Sequence, residues 1–103
     1  MERDLGAEEL RRYFAGRLPH RLGELEDACR QAREAGWRGT PLRTFHRLAH
    51  SLAGAGAIFG FPAVSDVARR LERHLKPVLE NGAPASEGEI ASLLAELRQT
   101  IGA

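Results

Sequence analysis

Apolar side chains recur at intervals of three and four residues along almost the whole of this 103-residue chain. No stretch alternates strictly between apolar and polar residues, and the β-branched residues that favour strands are few. Because side chains three and four residues apart lie on one face of a helix, this pattern predicts an all-α fold.

Prolines, glycines and capping patterns divide the chain into five predicted helices. Pro19 marks the end of the first helix or a kink in it, because an interior proline removes a backbone hydrogen bond. Thr40-Pro41 begins the third helix with a hydroxyl N-cap and a proline at the first helical position. The last helix opens with the capping box Ser86-Glu87-Gly88-Glu89. The expected boundaries are about 7–17, 19–35, 40–58, 62–81 and 86–101.

The predicted helices are similar enough in length to pack side by side. Four of them contain roughly 16 to 20 residues, which corresponds to about 24 to 30 Å. The short connections between them make sequential neighbours antiparallel. We therefore expect one domain over residues 1–103, an antiparallel up-down-up-down four-helix bundle with a short extra N-terminal helix packed across it.

The charge of the chain is nearly balanced, with 15 basic and 14 acidic side chains. This balance argues against a nucleic-acid partner. The charged N-terminus lacks the apolar stretch of a signal peptide, and no run of about 20 apolar residues could span a membrane. A single cysteine, Cys29, cannot form an internal disulfide. These features predict a cytoplasmic protein that does not bind a membrane, and we expect it to be a monomer.

The third predicted helix carries an apolar stripe and a histidine. The stripe consists of Phe45, Leu48, Leu52, Ala55 and Phe59. At about 100° per residue these side chains fall within roughly 40° of one direction, which we expect to face the core. His50 lies diametrically opposite, so we expect its imidazole to lie in solvent.

The outer face around His50 carries unusually small side chains. The neighbours of His50 on this face are Arg43, His46, Arg47, Ala53, Gly54 and Ala57. An exposed helix normally carries long polar residues, and an interior glycine costs about 1 kcal/mol relative to alanine. We therefore predict that the face lacks bulky side chains so that another protein can approach it closely, and that these six residues bind that protein.

The segment from His50 to Gly60, followed by Leu71-Glu72, resembles the signature H-x-L-K-G-x-x-x-x-x-G of histidine-containing phosphotransfer (HPt) domains. The resemblance covers essentially the whole chain, because members of that family form the same kind of helical bundle. It implies that His50 is phosphorylated and exchanges a phosphoryl group with aspartates of receiver domains in a two-component phosphorelay. The partners implied are a response-regulator receiver domain, a hybrid histidine kinase, or both.

The chemistry of the implied reaction suits a histidine. A neutral imidazole offers a nitrogen nucleophile that can attack an aspartyl phosphate in line. The resemblance implies that Mg²⁺ and an acidic pocket belong to the partner's receiver domain, so this chain should need no cofactor. The 53 residues after His50 contain no glycine-rich nucleotide motif, so we expect a phosphohistidine carrier without kinase activity of its own.

Ala53 departs from the family pattern, which usually has a lysine at this position to contact the phosphoryl group. Either Arg43 or Arg47 supplies the positive charge here, or transfer is slower or altered. The departure also leaves a second function open. In that alternative the chain is an interaction module that inhibits a receiver or a histidine kinase without accepting phosphate.

His46 and His50 have a spacing that metal ligands often show. The glutamate of the H-E-x-x-H motif is missing between them, and Arg47 is a cation beside the pair. Further ligands would have to come from distant residues such as Cys29, which lies on the core face of its own helix. We therefore expect no metal site, and we expect His46 to be a solvated neighbour at the border of the docking surface.

Overall fold

A computed structural model of the chain describes residues 2–102, with side chains from residue 6 onward. It contains the helices α1 (Glu2–Glu34), α2 (Gly39–Ile58), α3 (Pro62–Asn81) and α4 (Glu87–Ile101). Each helix packs against the next one, and α4 also packs against α1, which closes a four-helix bundle. Residues 2–102 contain no strand, so the predicted all-α bundle is confirmed.

The two helices predicted on either side of Pro19 are one continuous helix of 33 residues. The prediction of a separate short N-terminal helix is therefore wrong. Phe14, Leu18 and Leu22 are buried at helical spacing across Pro19, whereas Pro19 itself is exposed. Each of these buried side chains contributes about 1.5 to 3 kcal/mol, so together they outweigh the cost of about 3 kcal/mol for an interior proline.

The length of α1 sets the longest dimension of the molecule. At about 1.5 Å per residue a helix of this length measures about 50 Å. The largest extent of the fold is 50 Å. The N-terminal part of α1 therefore projects beyond the other helices, and Leu10 and Tyr13 on it are exposed rather than buried.

Two helix ends agree with the predicted boundaries, whereas the predicted N-cap of α2 does not. Ser86 is the N-cap of α4 and accepts a hydrogen bond of 3.3 Å from the backbone N–H of Glu89. Gly82 ends α3 in the left-handed conformation, with φ of 66°. The predicted N-cap at Thr40 is wrong, because α2 already begins at Gly39 and the hydroxyl of Thr40 accepts a hydrogen bond from the Arg43 guanidinium instead.

Small residues of α2 allow α3 to approach it closely. A Cβ at Gly56 would lie 3.1 Å from the backbone nitrogen of Ser65 and 3.3 Å from the carbonyl oxygen of Phe61. The buried Ser65 hydroxyl donates a hydrogen bond of 2.7 Å to the carbonyl oxygen of Ala53. This contact fixes the register between α2, which carries His50, and α3, which carries Glu72.

The core is built from the apolar faces of all four helices. The apolar residues spaced three and four apart along α3 are buried, as is Cys29 on α1. Trp37, which has φ of 57° in the connection between α1 and α2, packs its ring 6.5 Å from that of Phe45 and covers the end of the core. Among the described residues, no helix has the length and apolar character needed to cross a membrane.

Candidate functional site

The buried face of α2 differs from the predicted one. The buried residues of α2 are Leu42, Phe45, Ala49, Leu52, Ala53 and Gly56. At about 100° per residue, the centre of this face is rotated about 70° from the predicted stripe, toward the small residues that contact α3. His50 consequently lies at the edge of α2 beside α3, about 110° from the buried centre. The prediction that it lies diametrically opposite the core is wrong, although its exposure is confirmed, since 70% of its side chain is accessible.

This edge position brings His50 to Glu72 on α3. Nδ1 of His50 lies 2.5 Å from Oε2 of Glu72, and only 21% of the Glu72 side chain is exposed. A carboxylate accepts hydrogen bonds, so it favours the imidazole tautomer that carries its proton on Nδ1. The lone pair is then on Nε2, the outer nitrogen of the ring. The site therefore has a free nitrogen nucleophile held in one orientation.

His46, one helical turn before His50, is the second histidine near Glu72. Its Nε2 lies 4.0 Å from Oε2 of Glu72, and 22% of its side chain is exposed. That nitrogen is sealed from solvent and has no hydrogen-bond partner among the described residues. The prediction that His46 is a solvated bystander is therefore wrong, because α3 covers the inner edge of its ring.

An open groove of about 340 Å³ runs between α2 and α3 at this point. It is lined by His46, Arg47, His50, Glu72, Lys76 and Glu80. Lys76 is one helical turn after Glu72 and is the only lysine of the chain. The groove thus combines the imidazole of His50 with two cations, Arg47 from α2 and Lys76 from α3.

The model of the Hpt domain family matches residues 9–103 of the chain. The chain belongs to the Hpt domain family. Hpt domains take part in histidine phosphotransfer in two-component signalling, where they interact with receiver domains and histidine kinases. No curated protein and no solved structure matches the chain significantly.

The other residues predicted to bind a partner of this Hpt domain divide into two groups. Gly54 and Ala57 are exposed as predicted, and a Cβ at Gly54 would meet no atom within 4 Å. Arg43 and Arg47 are also exposed. Ala53, by contrast, is 3% exposed and faces α3, so its predicted place on the partner surface is wrong.

The sequence pattern does not identify two residues of the site as functional. Glu72 belongs to the segment that resembles the family but the resemblance assigns it no role, and no motif in the sequence singles out Lys76. Both lie on α3, and their distance from His50 depends on the register set by Ser65 and Gly56. The available signal was their spacing of four residues, which places two charged side chains on one edge of a helix.

Ile58 extends the exposed surface of the Hpt domain beyond Gly54. It lies one turn after Gly54 and is 79% exposed, the largest value among the large hydrophobic residues described as exposed. Gly54, Ala57 and Ile58 together form an exposed nonpolar surface beside His50. We refer to Gly54, Ala57 and Ile58 as the small-residue patch.

In the described part of the chain, no group of three His, Cys, Asp or Glu side chains is arranged to hold a metal ion. Cys29 is buried, and this burial raises the pKa of its thiol. A raised pKa keeps the thiol protonated and therefore a poor ligand. His74 accepts a hydrogen bond of 3.3 Å from the backbone N–H of Ser86 and stabilises the connection between α3 and α4.

Proposed function

We propose that His50 is the phosphoacceptor of this Hpt domain and that its Nε2 exchanges a phosphoryl group with aspartates of receiver domains. The observation that carries this proposal is the hydrogen bond between Nδ1 of His50 and Glu72, which leaves Nε2 as the free and outward nitrogen. The match to the Hpt domain family supports the reaction class.

The transfer step follows from this arrangement. The Nε2 lone pair attacks the phosphorus atom of the receiver's aspartyl phosphate, the P–N bond forms, and the P–O bond to the aspartate breaks. The aspartate leaves as a carboxylate with the electron pair, and the His50 ring gains a positive charge while Nδ1 keeps its proton. Glu72 lies against that proton, so its negative charge stabilises the developing imidazolium. Reversal of the same steps returns the phosphoryl group to a receiver.

Arg47 and Lys76 are the cations best placed to attract the transferred phosphoryl group, because both line the groove that contains His50. They take over the role that the resemblance assigned to a lysine at position 53. Arg43 lies one turn before Arg47 and donates a hydrogen bond of 2.9 Å to Thr40, which directs it away from His50. The Mg²⁺ and the acidic pocket remain those of the receiver domain.

The receiver docks on the small-residue patch in this proposal. Gly54 and Ala57 present a hydrogen atom and a methyl group, so a partner can approach the backbone of α2 closely, and Ile58 offers it an apolar contact. We further propose that the protein acts as a cytoplasmic monomer. Self-association through this patch would compete with the docking of a receiver.

His50 differs from the other three histidines in combining an exposed ring with a partly buried acceptor, Glu72. His20 is more than half exposed, but its contact is a loose pair with Glu24 at 3.8 Å on the same helix. The Nε2 of His46 is sealed from solvent. His74 uses its Nε2 to accept a backbone hydrogen bond. Of the four histidine rings, only that of His50 combines exposure with a hydrogen bond to another helix that determines which nitrogen is free.

The experiment is phosphorylation of the purified chain with phosphoramidate, followed by intact-mass measurement and acid treatment. We expect a gain of one phosphoryl group that is stable in base and lost in acid, and we expect His50→Gln to abolish it. His20→Gln serves as the matched control and should label normally. Labelling that persists in His50→Gln contradicts the proposal.

A second arm tests the alternative of a purely inhibitory interaction module. Receiver domains of the same organism are phosphorylated with acetyl phosphate and mixed with the chain. Transfer of the phosphoryl group to His50 supports the proposal. Binding to receivers with no labelling of the chain from either donor would establish the inhibitory module instead.

A further inference from the structure

The Nε2 atom of His46 is the one buried side-chain polar atom in the described part of the chain without a hydrogen-bond partner. Because it is sealed from solvent, water cannot satisfy it. A buried polar atom without a partner is costly, and such atoms are rare in folded proteins. An explanation for this atom must come from its immediate neighbours.

The nearest candidate partner is the carboxylate that already binds His50. Oε2 of Glu72 lies 4.0 Å from Nε2 of His46 and 2.5 Å from Nδ1 of His50. A hydrogen bond between nitrogen and oxygen has a length of about 2.9 Å, so a shift of about 1 Å completes the second contact. The two histidines lie one turn apart on the same edge of α2, and one carboxylate on α3 therefore reaches both.

We infer that His46 is a positioning residue, which donates its Nε2–H to Glu72 and thereby holds the carboxylate beneath His50. Glu72 then bridges two imidazoles, each of which contributes one N–H. The bridge selects the Nδ1–H tautomer of His50 and the Nε2–H tautomer of His46. It also prevents the Glu72 side chain from turning outward toward Lys76, which follows it by one turn and lines the same groove.

The structural part of this inference is independent of phosphotransfer and can be tested by NMR. The ¹⁵N shifts and couplings of the two imidazoles report the tautomer of each neutral ring. We expect His46 to be the Nε2–H tautomer, with a slowly exchanging N–H proton because the nitrogen is sealed from solvent. An Nδ1–H tautomer for His46 would place a lone pair against the Glu72 carboxylate and would overturn the inference.

Substitutions of His46 separate positioning from packing. His46→Leu keeps an apolar side chain beneath α3 but removes the donor, whereas His46→Gln keeps an N–H group at a similar reach. We expect His46→Leu to shift the neutral His50 ring toward its Nε2–H tautomer and His46→Gln to preserve the native tautomer. His20→Leu controls for the exchange of a histidine for leucine elsewhere on the surface.

The kinetic part rests on the proposed function. With phosphoramidate as the donor, we expect His46→Leu to lower the labelling rate about fivefold to tenfold, which corresponds to about 1 to 1.4 kcal/mol in the barrier, and His46→Gln to restore most of it. A native tautomer and a native rate in a folded His46→Leu variant would overturn the inference. If His50 is not the phosphoacceptor, the His50→Gln experiment fails while the tautomer shift remains, so the two failures are distinguishable.

Discussion

The hydroxyl of Ser65 donates a hydrogen bond to the carbonyl oxygen of Ala53 in the buried contact between α2 and α3. The antiparallel course of the two helices then places His50, one turn before Ala53, opposite Glu72, two turns after Ser65. The position of His50 relative to Glu72 therefore depends on how closely the two helices approach at Gly56.

Gly56 and Gly54 form a matched pair that tests this dependence. Gly56→Ala places a Cβ 3.1 Å from a backbone nitrogen of α3, which must shift to accommodate it. Overpacking of this kind typically costs about 1 to 3 kcal/mol, which exceeds the gain of about 1 kcal/mol from replacing a helical glycine. We expect Gly56→Ala to lower the free energy of unfolding measured in urea.

Gly54→Ala is the control, because a Cβ at Gly54 meets no atom within 4 Å. It should raise the free energy of unfolding by up to about 1 kcal/mol through helix propensity alone. Equal effects of the two substitutions would show that the close approach of α3 at Gly56 has no energetic consequence.

Glu72 is expected to affect the reactivity of His50 much more than the stability of the fold. Glu72→Gln retains an oxygen that can accept from Nδ1 but removes the negative charge that stabilises the imidazolium. We expect it to slow labelling by phosphoramidate about tenfold, or about 1.4 kcal/mol in the barrier, and Glu72→Ala to slow it further. Unchanged rates in both variants, with native helical content by circular dichroism, would remove Glu72 from the mechanism.

Lys76 should influence the reaction through its charge. We expect Lys76→Gln to slow labelling by the anionic donor about threefold at low salt, with a smaller effect at high salt because exposed charges are screened. Arg73→Gln is the matched control, because Arg73 is an exposed cation on α3 that does not line the groove. A similar loss in both variants would indicate a general effect of net charge.

The predictable parts of the structure are those determined by large apolar residues. The stripe of α3 from Val64 to Val78 is buried as its spacing indicates. The continuation of α1 through Pro19 is not predictable from the proline alone, because it depends on the burial of Leu18, which joins the apolar residues on either side. The low helix propensity of proline disfavours a helix at Pro19, but the burial of the apolar side chains around it outweighs that cost.

The wrong prediction of the buried face of α2 has a different cause. Alanine and glycine are buried or exposed according to how closely a neighbouring backbone approaches, and hydrophobic periodicity does not report that distance. Ala53 and Gly54 are adjacent and similar in size, yet one contacts α3 and the other faces solvent. For the same reason, the sequence does not predict the pairing of His50 with Glu72, which depends on the register between α2 and α3.

The burial of Ala53 changes what its replacement by lysine should do. The sequence suggests that Ala53→Lys restores the charge usual in the family and speeds transfer. In the structure the new side chain must leave a position that is 3% exposed and run along the contact with α3. We expect a loss of about 1 to 3 kcal/mol in the free energy of unfolding, with the ammonium group emerging at the groove edge.

Kinetics of Ala53→Lys with phosphoramidate complete that test. A faster reaction in the destabilised variant would show that charge near His50 limits transfer. An unchanged rate would show that Arg47 and Lys76 already supply it. A variant as stable as the native protein would contradict the packing argument at Ala53.

The small-residue patch gives the most specific prediction, because it separates docking from chemistry. Side chains on a helix lean toward its N-terminus, so a leucine at position 54 would project toward the His50 ring and toward an incoming receiver. Gly54 is exposed with open space around it, so Gly54→Leu should preserve or raise the melting temperature. We expect this variant to accept phosphate from a phosphorylated receiver at least about tenfold more slowly, an increase of about 1.4 kcal/mol in the barrier.

Phosphoramidate needs no extended docking surface, so its reaction with Gly54→Leu should change much less. Gly88→Leu is the matched control, because Gly88 is also exposed with open space around it but lies on α4, which does not pack against α2. It should leave both reactions unchanged. A folded Gly54→Leu variant that takes phosphate from its receiver at the native rate would exclude the small-residue patch as the docking surface, whereas equal slowing with both donors would show that the leucine acts on the imidazole itself.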